Sequence, residues 1–296
     1  MSSSLSPESV SSLDISSLTT TSISEDDLHI IKPIQQDRFS VYLVMSRTTK
    51  QAYAIKVFPY KKGTLCTSYL NEQRFSWLNH PNIINVFQAR DKCSIEGLEH
   101  CSYILMEYSP YGDFHDLLVK HKFTFYDKIL RTYFHQLVEA ISYLHTNGIA
   151  HMDIKPQNLL LTEEFQLKLI DFDLAYCQGD YFVLSHGTKY FRAPEVVKDK
   201  CLDPMAADIF SMGVLLFALK VEGRCPFLED ANEKRISPFE LLQKDREKYW
   251  AFVCEQLNKP PEFFDEDFKT LFEKMTKFDP KERPKIEEIK QSNWYK

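Results

Sequence analysis

The sequence predicts an α+β protein with two lobes, in which a small β-rich lobe precedes a larger, mainly helical lobe. Segments with the composition of β-strands cluster between residues 28 and 108, and segments with helical spacing dominate from residue 126 onward. A chain of 296 residues is also long enough for two lobes around a cleft. We place the N-terminal lobe at about residues 27–108 and the C-terminal lobe at about residues 109–296.

The first 26 residues predict a disordered tail that precedes the folded domain of residues 27–296. Serine and threonine dominate residues 2–24, and the scattered aliphatic residues follow no period. Such a segment cannot bury enough apolar surface to offset the entropy cost of becoming ordered.

The N-terminal lobe combines antiparallel strands with one helix. Residues 41–45 and 52–58 are rich in β-branched and aromatic residues, and a short turn separates them, which indicates two antiparallel strands. Helical spacing follows in residues 70–78 and ends before the sequence His-Pro-Asn at residues 80–82. Residues 101–108 then form another predicted strand.

The C-terminal lobe is predicted to be built from long helices at residues 126–146 and 208–222, with further helical segments up to residue 289. The longest apolar run, residues 209–219, is interrupted by Ser211 and ends at Lys220, so it is too short to span a bilayer. We interpret it as a buried helix and expect no membrane-inserted segment.

Composition narrows the choice of partners and compartment. The net charge of −6 argues against nucleic acid as a main partner, because phosphate backbones select clustered lysine and arginine. The seven cysteines are odd in number and form no CxxC pair, which favours reduced thiols in the cytosol or nucleus. The N-terminus has no secretory pattern, so we expect a protein that is not secreted. We also expect a monomer.

Polar side chains that could take part in catalysis or metal binding cluster around one loop. Asp153, Lys155 and Asn158 fall within six residues, between a long predicted helix and the apolar run of residues 159–161. A second apolar run, residues 167–170, ends at Asp171, and a hairpin of the two runs would bring Asp171 beside Asn158. A carboxylate and an amide oxygen are the hard ligands that Mg²⁺ prefers. The alternative interpretation, a solvated turn without metal, leaves the pairing of the two loops unexplained.

With these residues in place, the chain resembles a eukaryotic protein kinase over about residues 28–296. No single motif is specific for this family, but the joint order and spacing of the motifs are specific for it. The resemblance also implies the bilobal protein-kinase fold. The ordered set comprises Ala54-Ile55-Lys56, Glu72, His151-Met152-Asp153, Asn158, Asp171-Phe172-Asp173, Ala193-Pro194-Glu195, Asp208 and Arg283.

This resemblance implies phosphate transfer from ATP and assigns the catalytic roles. Asp153 would accept a hydrogen bond from the substrate hydroxyl and take its proton, and Lys155 would offset charge on the phosphoryl group. Thr188 would bond to both and shape the pocket. Lysine two residues after the base resembles the serine/threonine kinases, so protein substrates with serine or threonine are expected.

The resemblance also implies how ATP and magnesium would be held. The residues expected to bind the nucleotide are Lys56, Glu72, Ile34, Phe39, Met106, Glu107, Tyr108 and Asp113. Lys56 would hold the α- and β-phosphates and Glu72 would aim it, whereas Asp113 would contact the ribose. The backbone of Glu107 and Tyr108 would meet the adenine edge. The magnesium ligands would be Asn158 and Asp171.

Four departures from the family pattern concern activity and regulation. The segment of residues 34–41 has no glycine, and Asp37 adds a negative charge where phosphates are expected, which predicts weakened ATP binding. Asp173 stands where the family has glycine. Met152 replaces an arginine that binds a phosphate on the activation segment in relatives. The helix that carries Glu72 is one residue shorter than usual.

Three functions stay open on the sequence. An active serine/threonine kinase is favoured, because no catalytic residue is missing. A pseudokinase that acts as a binding scaffold is suggested by the glycine-free loop. A kinase-fold enzyme for a small molecule is disfavoured, because residues 187–195 fit a platform for peptide substrates.

Overall fold

The computed structural model describes residues 23–60, 64–93, 95, 97, 98, 100–181, 183, 188–198, 200–227 and 237–296. The predicted tail up to residue 22 and the start of the predicted peptide platform, residue 187, lie outside these ranges. No helix within the described ranges is both long and apolar enough to cross a membrane.

A five-stranded antiparallel sheet forms the N-terminal lobe, in the order β1-β2-β3-β5-β4. One helix, α1, crosses beside this sheet. The elements are β1 (Leu28–Gln36), β2 (Ser40–Ser46), β3 (Ala52–Pro59), α1 (Thr67–Gln73), β4 (Val86–Arg90) and β5 (Cys101–Glu107).

Side chains of β3 alternate between the two faces of this sheet, as the period of a strand requires. Tyr53 and Ile55 belong to one buried cluster, together with Val44 and Tyr103. Ala54 and Phe58 belong to the cluster on the other face, which also holds residues of α1 and β5. Lys56 has the same parity as Ala54 and Phe58 and therefore points to the face that α1 covers.

The C-terminal lobe contains eight helices and four short strands within the described ranges. The strands form two antiparallel pairs, β6 with β9 and β7 with β8. These elements are α2 (Phe114–Val119), α3 (Asp127–Thr146), β6 (Ile149–Ala150), β7 (Leu159–Leu161), β8 (Leu167–Leu169), β9 (Tyr176–Cys177), α4 (Pro194–Val197), α5 (Pro204–Lys220), α6 (Pro238–Lys244), α7 (Arg246–Leu257), α8 (Glu266–Met275) and α9 (Ile286–Gln291).

Helix α5 is the central helix of this lobe and is buried around its whole circumference. It begins four residues before the predicted start, because the Asp203 side chain accepts a hydrogen bond from the Ala206 N–H and Pro204 occupies the first turn. Gly213 lets α8 pack closely against it, since an added Cβ would lie 2.9 Å from the Cβ of Met275. The interpretation of residues 209–219 as a buried helix is confirmed.

Helix α1 ends earlier than its sequence pattern predicts. The regular helix stops at Gln73, and residues 74–78 continue in tighter turns, such as the hydrogen bond from the Leu78 N–H to the carbonyl of Phe75. Phe75 and Leu78 are nevertheless buried in the core of the C-terminal lobe. The apolar spacing therefore predicts which residues are buried, although the backbone is no longer α-helical there.

Candidate active site

Lys56 lies between two carboxylates at the interface of β3, α1 and the segment after β8. Its Nζ lies 2.6 Å from Oε2 of Glu72 and 2.5 Å from Oδ1 of Asp171. Burial lowers the pKa of Lys56, but the charges of the two carboxylates outweigh burial and raise the pKa above its ordinary value. Lys56 is therefore a fixed cation, and the pairing with Glu72 that the sequence predicts is present.

The backbone of the loop that follows β6 is hydrogen-bonded to the side chain of Asp208 in α5. Its Oδ2 accepts a hydrogen bond from the His151 N–H at 2.8 Å, and its Oδ1 accepts one from the Met152 N–H at 2.9 Å. Met152 has a φ of 65°, in the left-handed region that a side chain with a Cβ rarely adopts. Asp208 therefore stabilises a strained loop.

Asp153 is buried at the centre of a dense set of donors. Its Oδ2 accepts hydrogen bonds from Lys155 Nζ at 2.5 Å and from Asn158 Nδ2 at 3.1 Å. Its Oδ1 accepts one from the Thr188 N–H at 3.0 Å, and Lys155 also donates to the Thr188 hydroxyl at 2.9 Å. The three residues that the sequence predicts as catalytic are thus in direct contact. A carboxylate held by this many donors has a fixed orientation.

Asn158 and Asp171 are brought together by the predicted hairpin. Strands β7 and β8 pair with Leu159 opposite Leu169, and the Ile170 N–H donates to the Asn158 carbonyl at 3.0 Å. The Asn158 amide nitrogen donates to Asp153, so its amide oxygen is the atom left to bind a ligand.

Asp171 completes this oxygen donor set. Burial raises its pKa, but the charge of Lys56 opposes burial and holds the pKa below the ordinary value, so the carboxylate is ionised at neutral pH. An ionised carboxylate beside an amide oxygen fits the hard-ligand preference of Mg²⁺.

The residues after Asp171 are attached to the end of α1. The Phe172 ring packs against His151 at 5.0 Å and against Phe75 at 5.8 Å between ring centroids. The amide of Asn71 donates to the carbonyl of Asp173 at 2.8 Å and to that of Ala175 at 3.1 Å. These contacts join the helix that carries Glu72 to the segment that carries Asp171. The sequence gives no sign of the role of Asn71.

Farther along this segment, Arg74 forms a two-pronged ion pair with Asp180. Its Nη2 lies 2.9 Å from Oδ1 and its Nη1 lies 3.1 Å from Oδ2. The same carboxylate accepts a hydrogen bond from the Cys177 N–H at 2.8 Å. An acidic side chain thus binds a basic residue of the α1 region, which the sequence analysis did not identify.

The predicted hinge lies at the end of β5. Met106 is buried opposite Ala54 of β3, at the back of the cleft. The Glu107 N–H donates to the Asn85 carbonyl at 3.0 Å, and Glu107 Oε1 lies 2.8 Å from Lys168 Nζ. That N–H is therefore not offered to a nucleotide, and the hinge is fixed to the C-terminal lobe.

Two further residues follow Tyr108 along the hinge. Ser109 is buried, and its hydroxyl has no hydrogen-bond partner within the described ranges. Nothing in the sequence marks Ser109 as a functional residue, since a serine before proline is typical of an ordinary turn. Asp113, predicted to contact the ribose, caps α2 by accepting a hydrogen bond from the Asp116 N–H at 2.8 Å. Burial raises the pKa of the Asp113 carboxyl.

The glycine-free hairpin of β1 and β2 ends in a tip of three residues, 37–39, because Gln36 pairs with Ser40. Phe39 packs on Phe58 with ring centroids 4.8 Å apart, close to Lys56. Ile34 is exposed on β1. Asp37 is also exposed and accepts a hydrogen bond from the Gln35 amide at 2.8 Å. Nothing in the sequence indicates a role for Arg38, the central tip residue.

A buried ion pair joins α4 to the segment before α9. Arg283 Nη1 and Nη2 lie 2.5 Å and 2.8 Å from the two carboxylate oxygens of Glu195. Arg283 also donates to the carbonyls of Ala206 and Lys277, both at 2.9 Å. The Arg283 side chain is 0% exposed and that of Glu195 is 11% exposed. The pair fixes the C-terminal end of the segment that begins at Asp171.

Comparisons with known proteins agree with this geometry. The family model described as the protein kinase domain matches residues 38–295. The chain is similar to CBL-interacting protein kinase 26 of Oryza sativa subsp. japonica, with 33% identity over 92% of this chain and 52% of the relative. It is also similar to CBL-interacting serine/threonine-protein kinase 12 of Arabidopsis thaliana, with 31% identity over 86% of this chain and 50% of the relative.

A human protein, SNF-related serine/threonine-protein kinase, is 31% identical over 83% of this chain and 30% of its own length. The chain thus spans about half the length, or less, of these three relatives. The matched domain covers both lobes, from the hairpin tip to the residues after α9. The chain therefore belongs to the eukaryotic protein kinase family, and two of the three relatives are named serine/threonine-protein kinases.

Proposed function

We propose that this chain transfers the γ-phosphate of ATP to serine or threonine hydroxyls of protein substrates. The observation that carries the proposal is the pair of fixed charges on either side of the cleft. Asp153 is held by Lys155, Thr188 and Asn158, and Lys56 is held by Glu72 and Asp171, as the geometry above describes. Phosphate transfer needs such positioning and electrostatic stabilisation more than it needs covalent chemistry from the protein.

In the proposed reaction, the hydroxyl oxygen of the substrate attacks the γ-phosphorus, and the bond from that phosphorus to the β–γ bridging oxygen breaks. Asp153 orients the hydroxyl by accepting its hydrogen bond and takes its proton, which leaves ADP and the phosphorylated side chain. Lys155 reaches both Asp153 and Thr188, so its ammonium group lies where it can offset the charge that moves with the phosphoryl group.

ATP and Mg²⁺ are the implied ligands, and the chain offers matching groups for both. Lys56 is a buried, charged donor for phosphate oxygens. Asn158 and Asp171 offer the amide oxygen and carboxylate that would hold magnesium. When bound, magnesium supplies positive charge that neutralises the phosphates. The free thiols of Cys66, Cys177, Cys201, Cys225 and Cys254 support a reducing compartment such as the cytosol or nucleus.

Thr188 supports the choice of serine and threonine as targets. Its N–H donates to Asp153 and its hydroxyl accepts from Lys155, so Thr188 lies directly against the proposed base. A base covered at this short distance favours a small hydroxyl on a short side chain.

A pseudokinase scaffold is the second candidate, and one observation favours it. Residues 34–41 contain no glycine, whereas the family has glycines there that let phosphates approach the backbone. A scaffold would keep its fold and its partners without transferring phosphate.

Incubation of purified protein with labelled ATP, magnesium and a mixture of protein substrates separates the two candidates. A kinase labels substrate serine and threonine at a rate proportional to the enzyme concentration. Labelled residues are identified after acid hydrolysis, which also separates phosphoserine and phosphothreonine from phosphotyrosine. A sample that is folded by circular dichroism, binds ATP and transfers no label would contradict the proposal and favour the scaffold.

A further inference from the structure

Two departures from the family pattern meet in space. Arg38, at the centre of the glycine-free tip, lies 135 residues from Asp173, which stands where the family has glycine. Arg38 Nη1 lies 3.1 Å from Asp173 Oδ2. Its Nη2 donates to the hydroxyl of Ser68, in the first turn of α1, at 3.0 Å. The hairpin tip therefore contacts both the helix that carries Glu72 and the segment that carries Asp171.

The shape of the tip accounts for the direction of Arg38. Only three residues connect the strands, and the outer two are engaged elsewhere. Asp37 is bonded to Gln35 on the solvent side, and Phe39 packs on Phe58 in the lobe interior. The guanidinium of Arg38 lies 4.9 Å from the Phe39 ring centroid, so the ring that packs on Phe58 also supports the cation.

The buried carboxylate of Asp173 is stabilised by the positive charge of Arg38. The Asp173 side chain is only 6% exposed, and a buried carboxylate is costly without a partner. Lys56 is already bonded to Glu72 and Asp171. Within the described ranges, Arg38 is the basic residue in ion-pair distance of Asp173.

We propose that Asp173 orients Arg38 as a second phosphate-binding cation, in the way that Glu72 orients Lys56. The hairpin would thus contact the ATP phosphates through a side chain, since it has no glycine to bring backbone N–H groups close. Each departure compensates for the other: the arginine replaces the lost backbone donors, and the aspartate holds it in place. This inference rests on the proposed ATP binding.

Unused donors on Arg38 make this role feasible. A guanidinium carries five N–H donors in a rigid fork, and the contacts with Asp173 and Ser68 engage two of its three nitrogens. The Arg38 side chain is 67% exposed, so the rest of the fork is accessible from solvent. A cation already held by a carboxylate loses less side-chain freedom when a phosphate binds.

The test compares the dissociation constants of ATP and of adenosine, each titrated with magnesium against the full chain. Arg38→Ala should weaken ATP by ~10-fold, because it removes a charge-assisted contact, and leave adenosine unchanged. Arg38→Lys should retain part of the ATP affinity, since it keeps the charge but loses the fork. Lys32→Ala is the matched control, since it removes an exposed cation from the same hairpin away from the tip.

The pairing with Asp173 is tested in a second background. With Asp173→Asn present, Arg38→Ala should weaken ATP less than it does in the wild-type chain, because the unoriented arginine contributes less and no unpaired charge is left behind. Equal losses in both backgrounds would overturn the orienting role of Asp173.

Two other outcomes would overturn the whole inference. One is wild-type ATP affinity in Arg38→Ala, and the other is an equal loss of ATP and adenosine affinity, which would indicate a purely structural role. A wild-type chain that binds no ATP would instead contradict the proposed function itself.

Discussion

The ion pair between Glu195 and Arg283 allows a prediction about stability whose size follows from burial. Glu195→Ala would leave the Arg283 guanidinium, with 0% exposed side-chain surface, without its counter-charge. The carbonyls of Ala206 and Lys277 would still accept two of its hydrogen bonds, but neither carries a full charge. The result is a buried, uncompensated cation.

Removal of one partner of a buried pair typically costs ~3–5 kcal/mol of unfolding free energy. Single domains are stable by only ~5–15 kcal/mol, so Glu195→Ala should consume a large part of the total. The matched control is Glu266→Ala, which breaks surface pairs with Arg246 and Lys269. The Glu266 side chain is 66% exposed, so water screens both pairs and the expected loss is under ~1 kcal/mol.

Urea unfolding, followed by the fluorescence of the buried Trp250 and Trp294, measures both variants. The transition midpoint of Glu195→Ala should fall well below that of Glu266→Ala. Similar small shifts for the two variants would refute the argument that burial of this pair makes its loss costly.

Two further predictions concern regulation and thiol chemistry. Asp180→Ala should reduce turnover of unphosphorylated protein several-fold, because the partly exposed pair with Arg74 that holds the segment is worth ~1 kcal/mol. Phosphatase treatment of the wild-type chain should change turnover little. A loss of activity on dephosphorylation would show that a phosphate, and not Asp180, holds the segment. Burial raises the pKa of the Cys225 thiol to about 11, so iodoacetamide at pH 8 should alkylate it ~100-fold more slowly than free cysteine. Mass spectrometry of the digested protein checks this, and alkylation at the rate of free cysteine would contradict the effect of burial.

Much of the site could be predicted because its residues lie on regular elements. The alternation of β3 places Lys56 on the face that α1 covers, which follows from the period of a strand. The pairing of β7 with β8 brings Asp171 back to Asn158, as the two short apolar runs predict. In both cases a local pattern sets the direction of the side chain.

Other contacts could not be predicted, because they join distant positions through irregular backbone. In the sequence, Asp173 stands out only as a replacement for a family glycine, and Arg38 does not stand out. Nothing in either segment indicates that the two side chains meet. The three-residue tip depends on register shifts within β1, which a strand pattern does not reveal. Asn71 bonds to carbonyls that only the folded segment after Asp171 presents together.

The central claim, that Asp153 is the base of a phosphate-transfer reaction, is tested most directly by the turnover of Asp153→Asn with labelled ATP and a protein substrate. Asparagine keeps the size of the side chain, and its single amide oxygen can accept a hydrogen bond from Lys155 or from the Thr188 N–H but not from both, and the amide cannot take a proton at neutral pH. We expect turnover to fall at least ~100-fold while ATP affinity and the urea midpoint stay near the wild-type values. Wild-type turnover in this variant would contradict the account.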